Sequence, residues 1–279
     1  MTRRDRGHRP RDARVLRRGT EAHYEDPVYY DHAYRRRRSD VRFYADLAED
    51  LGGPVLELGV GTGRVAFELA RRGIDVVGVD RMPAMLDRAR ERLDTLRPKA
   101  ARDRVAFVRG DLRAVRLDRR FPLVLSPFNV FQHLYDRGDL ERALATVRRH
   151  LRPRGRFAFD VLLPDAYFLS RDPARVYRGP SVLRPTEGRR YHYGESFQYD
   201  PVRQIQVTTM FFQGVEDETD VHVTPLAHRQ FYPAELEALL HYNGFEVVER
   251  WGDFDRSPLT GSSESQILLC RRRRGYADE

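Results

Sequence analysis

A chain of 279 residues, 41% of them apolar, is long enough for one large globular domain or for one domain with an elaboration. No apolar run approaches the roughly 18 residues of a membrane helix, the arginine-rich start lacks the apolar stretch of a secretory signal, and the single cysteine, Cys270, cannot form an internal disulfide. These features point to a cytoplasmic protein without a membrane partner. The net charge of +8 raises nucleic acid as a partner, yet residues 1–20 hold eight arginines against only Asp5 and Asp12, and Lys99 is the only lysine of the chain. The arginine bias runs through the whole sequence, which argues against a nucleic-acid site and for solvated charged segments.

In chain order, residues 1–20 read as a disordered basic tail, followed by one or two helices in which Val41, Tyr44, Ala45 and Ala48 are spaced as a buried stripe. "GGPVLELGV" is a short continuous apolar strand of the kind buried on both faces of a parallel sheet. A helix over 64–72 follows, with Val65, Ala66, Leu69 and Ala70 inward and Gly73 as its stop. "IDVVGVD" is a second strand; Pro83 opens a helix lined by Met85, Leu86, Ala89 and Leu93. "RVAFVRGD" and "FPLVLSPF" give a third and a fourth strand. The next helix carries Leu140, Ala143, Leu144, Val147 and Leu151, "RPRG" ends it, and "RFAFDVLLP" is a fifth strand. Between Asp165 and Phe231 the period changes to strict alternation, which predicts about three antiparallel strands. A helix from Pro233 and the strands "FEVVERWG" and "ESQILLCRRR" complete the pattern.

Regular strand–helix alternation predicts an α/β fold, a doubly wound, seven-stranded, mostly parallel sheet with an N-terminal helical cap and an antiparallel β insertion after the fifth strand. The expected division is 1–20 as tail, 21–164 with 232–275 as the sheet domain, and 165–231 as an insertion or lid. Ligands of such sheets bind beyond the carboxyl ends of the strands.

That edge carries E-x-G-x-G-x-G, from Glu57 through Gly59 and Gly61 to Gly63, and the second strand ends on Asp80. A strand that runs through glycines into a helix presents backbone amides and lets a ligand approach main chain unhindered by Cβ atoms. The dinucleotide pattern G-x-G-x-x-G fails because Arg64 stands where its last glycine belongs, and Arg64–Val65 replaces the lysine and hydroxyl of a phosphate loop. An acid at the end of the second strand suits the two hydroxyls of a ribose.

Over roughly residues 54–164 the chain resembles the class I S-adenosylmethionine-dependent methyltransferases. The resemblance rests on "ELGVGTG", on Asp80, on "RGD" at Arg109–Asp111, on "FPLVLSPFNVFQHL" and on "LRPRGRFAFDV", in family order and at family spacing. It implies S-adenosylmethionine as methyl donor. The implied donor site is Glu57, Gly59, Gly61 and Gly63 at the amino-acid end, Asp80 at the ribose, Arg81 or Met82 over the adenine and Asp111 with Leu112 at its edge, with Tyr30 and Phe128 as further contacts. Asn129 and His133, just beyond the fourth strand, are the candidate catalytic residues; a base helps a hydroxyl acceptor, whereas an amine only has to arrive neutral. No carboxylate cluster resembles a metal site, so no metal is expected.

The expected acceptor is a small molecule, bound near Tyr24, Tyr29, Tyr30 and Tyr34 of the cap and Tyr191, His192, Tyr193, Glu195 and Tyr199 of the insertion. The layout is similar to glycine N-methyltransferase-like and amino-sugar N-methyltransferase-like enzymes. Two rivals stay open: an RNA or other nucleic-acid methyltransferase, against which "SPFN" only half matches the base-holding loop, and a non-catalytic S-adenosylmethionine-binding module. A homo-oligomer is compatible with the sequence.

Overall fold

The structure, a computed structural model, describes residues 9–276, with side chains from residue 14 onward. The chain divides into two compact units, one formed by the chain up to Ala33 with Ala166–Arg229, the other by Tyr34–Asp165 with the chain from Gln230 on. Helices α1 (Arg9–Glu21) and α2 (Pro27–Ala33) belong to the first unit. The second unit alternates α3 (Ser39–Leu51), β1 (Val55–Leu58), α4 (Ala66–Arg71), β2 (Val76–Asp80), α5 (Pro83–Thr95), β3 (Val105–Arg109), β4 (Phe121–Ser126), α6 (Arg137–His150) and β5 (Leu151–Leu162). The first unit then adds α7 (Ala166–Leu169), β6 (Tyr177–Arg178), β7 (Val182–Arg184), β8 (Arg189–Asp200), β9 (Ile205–Gly214) and β10 (Val221–Arg229). The second closes with α8 (Pro233–Tyr242), β11 (Phe245–Trp251) and β12 (Ser265–Arg272).

In the second unit seven strands form one sheet in the order β11-β12-β5-β4-β1-β2-β3. The pairs β4–β5, β4–β1, β1–β2 and β2–β3 are parallel, and β12 runs antiparallel to both β5 and β11. Helices cover both faces, so alternate residues of a strand enter different cores. Val55 packs with Tyr44, Leu69 and Trp251, while Leu56 and Leu58 pack with Phe121, Phe157, Leu144 and Leu240. This is why β1 is apolar throughout except at Glu57, and why Glu57 is itself buried. Local chemistry sets the helix starts: Pro83 and Pro233 stand in the first turns of α5 and α8, and the Asp136 carboxylate accepts the Asp139 amide (2.7 Å) to cap α6.

The first unit is a five-stranded antiparallel sheet, β10-β9-β8-β6 with β7 also paired to β8. Tyr29 of α2 packs edge-on against Phe212 (5.4 Å), and Arg184 pairs with Asp26 (3.1 Å).

Three expectations need correction. Residues 9–20, expected in a disordered tail, form most of α1; residues 1–8 lie outside the described residues. The helix has little apolar stripe to read, and it lies so close to β10 that a Cβ on Gly19 would sit 2.6 Å from that of Ala227. "RPRG" does not end α6, which stops at His150; with Leu151, expected in that helix, it belongs to β5: pairing runs Phe121–Leu151 and resumes at Leu123–Arg156, with the intervening residues bulged. Gly155 permits this, since a Cβ there would meet the Pro122 carbonyl at 2.9 Å. The helix after the glycines begins at Ala66 instead of Arg64, because the turn itself extends through Val65.

Candidate active site

The carboxyl edge of the seven-stranded sheet carries two turns, one after β1 and one after β4. In the first, Gly59, Gly61 and Gly63 all have left-handed backbone, with φ of 78°, 55° and 82°. The three are not equivalent. A Cβ on Gly59 would overlap Val130, and one on Gly63 would sit 2.6 Å from Phe67, whereas one on Gly61 would meet only the Met85 methyl, at 3.3 Å. Gly59 and Gly63 therefore serve packing, and Gly61 is where the main chain lies open to a ligand. Fewer amides of the turn are available than the sequence suggested. Those of Gly59 and Val60 donate to the Val79 carbonyl (2.8 and 3.0 Å) and that of Gly63 to the Val60 carbonyl (2.9 Å). The Gly61 amide donates to Asp80 Oδ2 (2.8 Å).

Asp80 thus fastens the turn while ending β2. Its other oxygen accepts the Met82 amide (2.8 Å). Burial pushes its carboxyl up from the usual range and the backbone amides pull it back. Each oxygen keeps a further lone pair for another donor.

Glu57 lies beneath the turn, 2% exposed, and its Oε2 has no hydrogen-bond partner. Burial above all, with the nearby Asp80 charge, pushes its carboxyl up to about 8 against the opposing pull of Arg64 and the Ala66 amide. Arg64, the residue that breaks the dinucleotide pattern, has a structural duty. Its guanidinium grips the fully buried Asp40 of α3 through both oxygens (2.8 and 2.6 Å), and Arg37 Nε reaches the same carboxylate at 3.3 Å. Against the upward push of burial, the Arg64 pair holds the Asp40 carboxyl below the usual range. Removing one member of such a buried pair costs about 3–5 kcal/mol.

The turn after β4 is left-handed at two residues that are not glycine: Phe128 and Asn129, each with φ of 63°. Such backbone costs roughly 1–2 kcal/mol at a residue such as Phe128 and less at asparagine. Asp160, fully buried in β5, holds it. Its Oδ1 accepts the Phe128 amide (2.8 Å) and the Tyr44 hydroxyl (2.6 Å), and its Oδ2 accepts the Asn129 amide (3.2 Å). The Phe128 ring lies under the guanidiniums of Arg37 (4.8 Å) and Arg64 (4.9 Å) and edge-on to Tyr34 (4.9 Å). Beyond Asn129 comes a short 3-10 turn, Val130–His133. Val130 packs over Gly59, the Phe131 ring lies tilted against Phe159 (5.0 Å), and Gln132 Oε1 accepts the Leu162 amide (3.2 Å). Asn129 is 7% exposed and its Oδ1 has no partner.

Residues 55–155 match the family model described as a methyltransferase domain. The chain is 28% identical to the methyltransferase CcbJ of Streptomyces caelestis and superposes on its structure with a TM-score of 0.73, over 90% of this chain and 98% of that one. Residues 55–155 are a class I S-adenosylmethionine-dependent methyltransferase domain. It is also 27% identical to a glycine/sarcosine N-methyltransferase of Parasynechococcus marenigrum, over 79% of this chain and 73% of that protein. The glycopeptide N-methyltransferase MtfA, solved in complex with S-adenosylmethionine, superposes with a TM-score of 0.58 at 25% identity, over 84% of this chain and 93% of that one.

The methyltransferase sheet brings Glu57, the three glycines, Asp80, Arg81 and Met82 to one stretch of its edge, on β1, β2 and the turns after them. Asp111 and Leu112 follow β3. There Asp111 has a partner that the sequence reading missed. Arg113 Nε bonds both of its oxygens (2.9 and 3.1 Å), and Arg113 Nη1 bridges to Asp139 (2.9 Å). Against partial burial, this holds the Asp111 carboxyl below the usual range. Leu112 packs against the core. His133 is half-buried with Nδ1 3.4 Å from the Tyr135 hydroxyl. Tyr30 belongs to the other unit, where its ring meets His23 (5.8 Å) and Tyr24 (5.9 Å). Asp40 carries no motif, Tyr44 is legible only as part of a buried stripe, and Asp160 only as a structural acid within the fifth strand. The readable signal was a carboxylate inside an otherwise apolar strand, "RFAFDVLL", since such a group is retained only where it is satisfied.

Proposed function

We propose that this methyltransferase transfers a methyl group to a nitrogen of a small-molecule amine. One observation carries the donor half of the reading: Gly61 lies open beside Asp80 and above a buried Glu57 oxygen that has no donor of its own. Those groups fit S-adenosylmethionine, whose sulfonium supplies an electrophilic methyl. Under this reading Asp80 accepts the ribose hydroxyls, Asp111 the adenine amine, Leu112 and Met82 give the ring apolar contact, and Glu57, neutral in the free protein at pH 7, gives up its proton as the ammonium binds and balances its charge. A Cβ-free main chain at Gly61 admits the amino-acid end, and Arg81 and Phe128 complete the expected surroundings.

Methyl transfer needs alignment more than acid–base chemistry, and holding two reactants in line is worth ~7–11 kcal/mol of such a barrier. A neutral amine needs no proton removed before attack. Asn129 Oδ1, buried and unpartnered, suits the N–H of that amine and leaves its lone pair for the methyl; His133 receives the proton that the product sheds. The N-methyltransferase relatives support nitrogen over oxygen, and the glycine/sarcosine enzyme supports a small acceptor.

The test is incubation of the full chain with methyl-labelled S-adenosylmethionine and fractionated small metabolites, RNA and protein. Label is expected in an amine-containing small-molecule fraction. Label confined to RNA or protein, or donor binding with no transfer to any fraction, contradicts the reading.

A further inference from the structure

We propose that Asp160, braced by Tyr44, is a positioning residue that locks the Phe128–Asn129 turn and so fixes the Asn129 carboxamide against the N–H of the amine. The proposal rests on the reading above of the site as a small-amine methyltransferase.

Asp160 stands in the middle of a strand whose neighbours Phe159 and Val161 are fully buried, where an apolar residue is the less costly occupant. Its carboxylate is spent on three donors: the Tyr44 hydroxyl and the amides of two successive residues 32 and 31 positions earlier in the chain. Successive amides converging on an anion form a nest, and here the anion is the protein's own side chain. Both amides belong to left-handed residues that are not glycine. Local preference pulls such residues toward ordinary backbone, so the bend persists only while something outside the turn holds it.

The consequence falls on Asn129. With its amide fastened to Asp160 and the next residue, Val130, wedged over Gly59, its side chain has little freedom, and its Oδ1 is left buried without a donor. A carboxamide oxygen is too weak a base to take a proton from the substrate. It can orient one, by accepting an N–H that stays on nitrogen while the lone pair attacks.

Asp160→Asn and Tyr44→Phe, made in the full chain, test this through three readouts: amide hydrogen exchange at Phe128 and Asn129, calorimetric affinity for S-adenosylhomocysteine, and kcat against acceptor KM with the amine found by the labelled screen. Asp160→Asn exchanges one accepting oxygen for an NH2 group, so one of the two amides loses its bond and is expected to exchange at least tenfold faster. Affinity for S-adenosylhomocysteine stays within about threefold, while kcat falls at least thirtyfold. Tyr44→Phe removes a brace without adding a donor and is expected to lower kcat about tenfold, again with the donor-site affinity retained; it decides the matter if Asp160→Asn does not fold. Unchanged exchange at both amides, or a loss of S-adenosylhomocysteine affinity as large as the loss of kcat, overturns the proposal. The exchange comparison needs no acceptor, so failure of the anchoring and failure of the functional reading are distinguishable.

Discussion

The turns after β1 and β4 leave adjacent strands at the same edge of the sheet, and both bend through left-handed backbone, but they reach that conformation by different means. After β1 the chain uses glycine at all three left-handed positions, for which that conformation carries no Cβ penalty. After β4 it uses phenylalanine and asparagine, and a buried carboxylate two elements away holds the bend. A neighbouring strand supplies the fastening acid each time, Asp80 from β2 for the first turn and Asp160 from β5 for the second. In the first turn two glycines make room for packed neighbours and the third, in the proposed reading, for the donor. The second turn accepts strain that, in the same reading, presents Asn129 to the acceptor.

The comparison is broken most severely by adding side chains where glycine is packed. Gly63→Ala places a methyl 2.6 Å from Phe67 at a φ of 82° and should cost about 3 kcal/mol of stability by urea denaturation, combining left-handed strain with overpacking. A loss under 1 kcal/mol would mean the turn is not closed against Phe67.

The acid beneath the first turn sharpens the contrast through pH. Glu57 has its carboxyl raised to about 8, so its neutral form favours the folded state. The stability it contributes is full below its ordinary value near 4.5 and is lost as pH rises through about 8. Glu57→Gln should therefore flatten the decline of stability between those limits and leave the free protein roughly 1–3 kcal/mol more stable than wild type at pH 9, even though it weakens donor binding. A variant that declines with pH as wild type does would show that Glu57 does not ionise in this range.

Smaller again is the effect at β3. Asp111→Asn keeps an acceptor for the adenine amine but weakens the Arg113 clasp, and should reduce affinity for S-adenosylmethionine by about 1 kcal/mol, or some fivefold, in a calorimetric titration. No change would place the adenine elsewhere.

These differences follow what the sequence could disclose. The seven-stranded sheet was legible because parallel strands covered on both faces are continuous apolar runs, as "VLEL" and "FPLVLS" are, separated by helices of period 3.6. The glycine turn was legible because left-handed backbone has a residue type that announces it. In the Phe128–Asn129 turn only the asparagine, which tolerates left-handed backbone, hints at the bend, and its cause lies 32 residues on in β5. The Arg64–Asp40 pair, 24 residues apart, was hidden likewise: Arg64 was informative only as a departure from a dinucleotide motif, and Asp40 is one acid among many on a helix. Helix α1 was missed because close contact at Gly19 replaces an apolar stripe. The amides of the first turn were overcounted because sequence shows how many donors a turn has but not which of them the neighbouring strand already engages.

The most direct test of the central claim, that the open stretch of the first turn is where the donor lies, is a calorimetric titration of wild type and Gly61→Ala with S-adenosylhomocysteine, alongside their melting temperatures. Gly61→Ala adds a methyl that meets only Met85, so its stability should fall by about 1 kcal/mol, while its affinity should fall at least a hundredfold. Equal affinity in the two proteins would contradict the account.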